Sequence, residues 1–464
     1  MKKTRLYILF ILLFIQFYSV SCKKLVEIDE PINTVTTRET FSTVGKANSA
    51  IIGMYYNMSY GDGNYTYASG ALTINGGMSA DELNIFGYTS NFQDNILQSN
   101  DDEILNRFWT PIYKNIYLAN AAIEGLTAST LPESAKKPLQ GEALFLRAFN
   151  YFYLVNLFGD VPLTTSSSWS ATATAKRTPA VQVYQQIVSD LKDAQQLLPS
   201  DYPTADGQRT RANKSAATAL LARVYLYTSQ WQDAETQATA VIDNNTTYSL
   251  LADLNEVFLK NSNEAILQLQ NSTLDNFLFA TQEGNMFIPI DAISPPYFYL
   301  TDQLLGAFEP DDKRRYAWVD STDFSGFYYY PYKYKVRATT ADAITEYYTV
   351  LRLAEQYLIR AEARARNNKV TDAIADLNLI RERAGLADLS GSLDQTGVLA
   401  AVNQERRIEL FAEWGHRWLD LKRTGQADVV LSPVKPQWLP TAKLYPLPLS
   451  ELQTDPNLTQ NQGY

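Results

Sequence analysis

One feature restricts the fold of this chain more than any other: a stretch of sequence that returns at a constant interval. Residues 213–244 carry Ala222, Leu226, Asp233, Ala234, Ala238 and Val241, and residues 352–383 carry Ala361, Ala365, Asp372, Ala373, Leu377 and Ile380. Each member of the second set follows its partner by the same number of residues, as Ala361 follows Ala222. Small residues at helical spacing let two antiparallel helices pack closely, and stacked pairs of that kind make tetratricopeptide-like arrays. The full tetratricopeptide pattern is absent, so the repeat is a degenerate one. The expectation is a mainly α chain built as an array of helix pairs.

Other segments share the 3.6-residue period. Ala47, Ala50, Ile51, Met54 and Tyr55 fall on one helix face. Trp109, Ile112, Tyr113, Ile116, Asn120 and Ile123 fall on another, with Pro111 tolerable only near the first turn. Over residues 134–158 apolar side chains cover most of the circumference, which predicts a helix buried on nearly all sides. Gly159 supplies its stop and Pro162 prevents continuation. An amphipathic segment spans about 179–198, a final long helix about 393–414, and the tail from Val429 is loop-like. Two regions break the array: 60–104, rich in Gly, Asn, Asp and Ser, and 270–350, rich in Pro, Gly and aromatic residues. Both read as large irregular insertions in a single domain over 39–464. Long excursions of this kind are uncommon unless functional or disordered.

The first 21 residues read as a signal peptide. Lys2, Lys3 and Arg5 precede an apolar run over 6–20, and Ser21 stands before Cys22. The run is shorter than the roughly 20 apolar residues of a membrane-spanning helix, and it contains Gln16. Cys22 is the only cysteine, which excludes a disulfide framework. Its position predicts the acylated first residue of a bacterial lipoprotein, with 22–38 as a tether, although Ser19 replaces the Leu usual three residues before such a cysteine. The alternative is an ordinary signal peptide with a thiol near the cut.

Signals for catalysis are sparse. His416 is the only histidine, which excludes His-based metal clusters, and it reads as a packed residue among Glu413, Arg417 and Asp420. A net charge of −10 argues against nucleic acid as a partner. The acidic pairs Asp81-Glu82 and Asp311-Asp312 leave a glycosidase reading through Asp81, Glu82 or Asp311 as an alternative. Glu309, Asp311 and Asp312 suit calcium by ligand type, but no EF-hand spacing supports them. No catalytic residue, metal site or cofactor is assigned. The stronger signal is aromatic: 30 Tyr stand beside 20 Phe and 7 Trp, with a dense run from Tyr297 through Trp318, Phe324 and Phe327 to Tyr334. Most of these rings are expected to build a small core within the insertion. A few exposed ones suffice for a ligand site, since flat rings with polar tips suit the C–H faces of sugars. In the first insertion Phe86, Tyr88 and Phe92 stand among Asp81, Asn84 and Asn91. The candidate ligand residues are Asn84, Tyr88, Trp318, Tyr328 and Tyr330.

Three blocks carry a family resemblance: residues 147–163 (RAFNYFYLVNLFGDVPL), residues 405–423 (ERRIELFAEWGHRWLDLKR), and the close with 445–448 (YPLP) and 460–464 (QNQGY). Together with the leader they resemble the SusD/RagB family of Bacteroidetes outer-membrane lipoproteins over essentially the whole chain. The resemblance implies a non-enzymatic, oligosaccharide-binding protein, lipid-anchored at Cys22 on the outside of the outer membrane. It also implies a partner, a TonB-dependent SusC-like transporter over which the protein acts as a lid. Capture of peptides by a related importer is the second binding reading. Within the blocks, Glu405, Arg406, Glu409, Glu413, Arg417 and Asp420 recur at three- and four-residue intervals, as ion pairs along a helix would. Arg147 on its apolar helix must find a buried acceptor or reach solvent.

Overall fold

The computed structural model of the chain describes residues 36–59, 66–271, 280–337 and 343–464. The leader, Cys22 and the tether up to residue 35 lie outside them. About 55 % of the structure is helical. Among the described residues strands occur only as two-stranded antiparallel ribbons, so the class is mainly α.

Among the described residues the helices of eight residues or more are α1 (Val44–Ser59), α2 (Ala71–Ser79), α3 (Thr110–Ala128), α4 (Glu133–Phe158), α5 (Ala180–Leu197), α6 (Lys214–Tyr227), α7 (Trp231–Ile242), α8 (Leu353–Arg366), α9 (Val370–Arg383), α10 (Gln395–Glu409) and α11 (His416–Arg423). From α3 to α9 each packs against the next. The repeated segments are the pairs α6–α7 and α8–α9. Ala222, Leu226, Ala234, Ala238 and Val241, and their counterparts Ala361, Ala365, Ala373, Leu377 and Ile380, are all buried in the seams. Asp233 and Asp372 sit in the first turn of the second helix of each pair, where a carboxylate meets the positive end of the helix dipole. The array runs straight across the second insertion, because α7 packs directly on α8.

Helix α4 is the axis of the core. Between Leu139 and Phe158 only Gln140 and Asn156 escape full burial. Gly159 ends it at φ +74, a left-handed conformation that costs a glycine little. The buried guanidinium of Arg147 finds its acceptors on neighbouring helices: Asp190 of α5 at 2.6 and 2.8 Å, and the Asn120 side-chain oxygen of α3 at 2.9 Å. Pro111 falls in the first turn of α3, which a π-helical stretch, Ile104–Trp109, precedes.

Two expectations need correction. The region 60–104 is not irregular throughout, since Ala71–Ser79 form a helix in which every residue is buried. Its Asn75, Gly76 and Gly77 read as loop, yet the glycines serve close approach: Gly76 faces Gly415, and Gly77 faces Leu83. The final long helix stops at Glu409 rather than near 414. Ala412, Trp414 and Gly415 adopt positive φ, and a second helix, α11, restarts at His416.

That break redirects the charges of the block 405–423. Instead of pairing along one helix, most reach other elements through a buried ionic core. The strands β2 (Ala265–Leu269) and β6 (Tyr348–Arg352), paired antiparallel, bring Arg352 close to Glu264. Arg352 contacts Glu409 at 2.6 Å, Glu413 at 2.8 Å and Glu264 at 3.0 Å. Arg383 also binds Glu264 and Glu409, Arg314 binds Asp312, Glu405 and Glu409, and Lys333 binds Glu413. Burial works against each of these charges, but the surrounding arginines hold Glu409 well below the ordinary carboxylate range.

Candidate functional site

Two short strands carry the first insertion onto the second. β1 (Leu83–Ile85) pairs antiparallel with β3 (Phe298–Leu300), with Leu83 opposite Leu300, Asn84 opposite Tyr299 and Ile85 opposite Phe298. Alternation sorts the two faces. Leu83, Phe298 and Leu300 point into the core, while Asn84 and Tyr299 share the outer face. Phe86 extends that face, its backbone N–H donating to the Tyr297 carbonyl at 2.9 Å.

A hairpin then closes over the outer face. β4 (Val319–Asp323) pairs with β5 (Phe327–Pro331), with Thr322 opposite Tyr328 and Asp320 opposite Tyr330. The Tyr328 ring meets Phe86 edge-on at 5.1 Å and Tyr299 at 5.2 Å, and Phe324 at the hairpin tip meets Phe86 at 5.8 Å. The Thr322 hydroxyl donates to the carbonyls of Ala292 and Ser294, fixing the hairpin to the preceding loop. The result is an aromatic surface. Phe327 is 68 % exposed and Tyr88, just past the end of β1, 76 % exposed. Interlocked edge-to-face rings leave little rotamer freedom to lose on binding, and the Asn84 amide lies beside them with donors and an acceptor.

Of the five candidate residues, Asn84, Tyr88 and Tyr328 belong to this part of the structure. Trp318 and Tyr330, expected at the ligand surface, lie in the interior instead. Trp318 is fully buried, its indole N–H donating to the Leu254 carbonyl at 3.0 Å. The ring meets Phe258 in an edge-to-face contact at 5.7 Å, and the Lys333 ammonium stands 4.6 Å from the ring centre, so this indole caps the ionic core. Tyr330 is buried with its hydroxyl donating to Asp320 at 3.1 Å. Phe92 is likewise core, packed on Phe108 and Tyr445. Phe86, Tyr299, Phe324 and Phe327, which belong to the same part of the structure, are not among the five candidates, although Phe86 stands in the polar-aromatic mixture of the first insertion and the others in the aromatic run. A readable signal did exist: Tyr297 and Tyr299 alternate with the apolar Phe298 and Leu300, as a strand with one wet face does.

The acidic candidates are otherwise engaged. Burial would raise the Asp81 carboxyl, but hydrogen bonds from Arg417 at 2.7 and 3.0 Å, with the charges of Arg417 and Arg407, hold it below its ordinary value. Glu82 is buried beside it, and burial together with the Asp81 charge pushes it up to about 8. Glu309 pairs with Arg381 at 2.6 Å and Asp312 with Arg314 at 2.8 Å, so arginines occupy two of the three carboxylates considered for calcium, while Asp311 is exposed at a turn with positive φ. His416 is buried, and burial pushes its imidazole down to about 4, which keeps it neutral as a packing residue.

A helical array thus carries a cluster of edge-to-face aromatic rings on its two insertions. The chain belongs to the SusD/RagB family. Residues 28–226 match the family described as "Starch-binding associating with outer membrane", and residues 313–464 match the SusD family. The chain is 28 % identical to SusD-like protein P2 of Formosa agariphila across 100 % of both chains. It is 25 % identical to the starch-binding protein SusD of Bacteroides thetaiotaomicron, covering 74 % of each. A laminarin-binding SusD-like protein of known structure superposes with a TM-score of 0.76 at 26 % identity, covering 91 % of this chain and 99 % of that one. Among the described residues no helix is long and apolar enough to cross a membrane.

Proposed function

We propose that this protein is a non-enzymatic, glycan-binding lipoprotein of the outer membrane. It captures an oligosaccharide at the cell surface and passes it to a TonB-dependent, SusC-like transporter. The observation that carries the reading is the edge-to-face cluster of the half-buried Phe86, Tyr299 and Tyr328 with the exposed Phe324 at the hairpin tip, beside Asn84 and with the exposed Tyr88 and Phe327 at its margins. Flat rings take the C–H faces of sugars, and the amide and phenol groups meet hydroxyls. Its placement on insertions of a rigid array agrees with loops being the functional parts of such scaffolds. The starch- and laminarin-binding relatives point to glucans as the first ligands to test. Cys22 is the acylated anchor in this reading, and residues 22–38 are its tether.

Isothermal titration with soluble starch, laminarin and a set of short peptides tests the reading. Saturable glucan binding that falls about tenfold or more in Tyr328→Ala supports it. Turnover of the glycan, or binding of peptides alone, overturns it. Detergent extracts of outer membranes are expected to yield the protein together with a large β-barrel. Labelling with radioactive palmitate is expected in the native chain and absent in Cys22→Ala.

A further inference from the structure

The hairpin that closes the aromatic surface has a second feature at its base. A cleft of about 810 Å³ opens between the start of β4, the turn around Asp253 and the helical turn Lys313–Ala317. Its walls include Asp253, Lys313, Tyr316, Asp320, Tyr332 and Lys335. Two carboxylates and two ammonium groups balance one another, so the cleft favours neither an anion nor a cation. Tyr316, 75 % exposed, supplies a flat ring face, and Tyr332, with the Lys335 ammonium over its ring, supplies a second phenol. A neutral ring bearing several hydroxyls satisfies all of these groups together, its hydroxyls donating to carboxylates and accepting from ammonium groups.

The polar walls are held in place before any ligand arrives. Asp320 accepts the Tyr330 hydroxyl at 3.1 Å and the Ser321 backbone N–H at 2.7 Å. Asp253 accepts the Asn255 backbone N–H at 2.9 Å. Lys335 donates to the Tyr332 carbonyl at 2.6 Å, with its ammonium 4.2 Å from the Tyr332 ring centre. Polar groups fixed in this way need little reordering on binding. Asp320 stands opposite Tyr330, two residues along β5 from Tyr328, which is about 7 Å of strand. Cleft and aromatic surface are therefore two ends of one hairpin.

We propose that this cleft is a second saccharide-binding site, taking a neutral sugar unit, so that a long glycan engages the protein at two points. The inference rests on the glycan-binding reading above. Two sites on one rigid element convert the second binding step into an intramolecular one, which raises affinity for polymers over short oligosaccharides.

Titration with maltohexaose and laminarihexaose, followed by soluble starch and laminarin, tests it. The expected result is two sites per chain for the hexasaccharide that binds. Tyr316→Ala combined with Asp253→Asn removes one and Tyr328→Ala removes the other. Both cleft positions are exposed and asparagine retains the turn-capping oxygen, so unchanged thermal unfolding is expected. Affinity for the polymer falls about a hundredfold in either variant. A single site that the cleft variant keeps in full overturns the second site alone. A single site lost in the cleft variant and kept in Tyr328→Ala overturns both the two-site scheme and the aromatic surface. Absence of any glycan binding sinks both readings together.

Discussion

Gly76 of α2 and Gly415 at the start of α11 meet backbone to backbone: a Cβ on Gly76 would stand 2.8 Å from the Gly415 Cα. This contact seats the first insertion on the block of residues 405–423. The hydroxyl of Thr73, one turn earlier, accepts the Trp414 backbone N–H at 2.9 Å. Helix α2 leads directly through Asp81 and Glu82 into β1, so the position of Asn84 and Phe86 depends on a seam where no side chain fits.

Gly76→Ala is therefore expected to destabilise the protein by about 1–3 kcal/mol through overpacking. Gly53→Ala is the control. It lies within α1 with nothing near its Cβ position, and is expected to be neutral or stabilising by about 0.5–1 kcal/mol. Urea unfolding monitored by circular dichroism compares the two.

Trp318→Ala and Tyr328→Ala separate scaffold from surface. The first empties a fully buried site and uncovers cations, so a loss of about 3–5 kcal/mol of stability is expected. The second removes two edge-to-face contacts of a half-buried ring, so a smaller loss of about 1–2 kcal/mol is expected together with weakened glycan binding. Differential scanning calorimetry alongside titration reads both quantities, and a stable Trp318→Ala protein with normal folding but no binding would contradict this assignment.

Arg352 touches Glu264, Glu409 and Glu413 within the interior. Arg352→Met leaves those carboxylates short of a partner, and a loss of about 3–5 kcal/mol is expected. Glu409→Gln is expected to destabilise as well, since it removes an acceptor shared by Arg314, Arg352 and Arg383. Chemical denaturation measures each.

Glu82 gives a pH signature. Its folded value is raised to about 8 from an ordinary 4.5 by burial and by the Asp81 charge, with Arg417 and Lys333 opposing. The folded state thus binds more protons than the unfolded chain between those values, and stability from this group falls as pH rises through the window. His416, pushed down to about 4, contributes the opposite slope between about 4 and 6.5. Above pH 6.5 the Glu82 contribution stands apart from it. Glu82→Gln is expected to flatten the decline in melting temperature between pH 6.5 and 8 relative to the native protein, and an unchanged decline would refute the assignment.

The helical array was legible because its seams need small residues at fixed spacing, and Ala222, Ala234, Ala361 and Ala373 announce them locally. Helix α2 was hidden for the opposite reason. Gly76 and Gly77 look like chain breakers when read along the sequence, and their purpose is contact with Gly415 and Leu83 across space. The end of α10 was hidden as well, since the even spacing of Glu405, Glu409 and Glu413 continues the helical period while the backbone turns away at Ala412. At the aromatic surface, Trp318 and Tyr328 looked equivalent within one run. What separates them is distant: Leu254 and Phe258 enclose the first, while Phe86 and Tyr299 prop up the second.

The aromatic face is stitched from three stretches of chain that ordinary cloning boundaries would never keep together. Moving one of them into a homologous scaffold carries Tyr328 without Phe86, or Asn84 without Tyr299, and the rings lose the edges that orient them. A change of sugar preference in a relative must then arise by matched substitutions in both insertions. Engineers wishing to redirect this protein would do best to exchange residues 83–88 and 297–331 as a set.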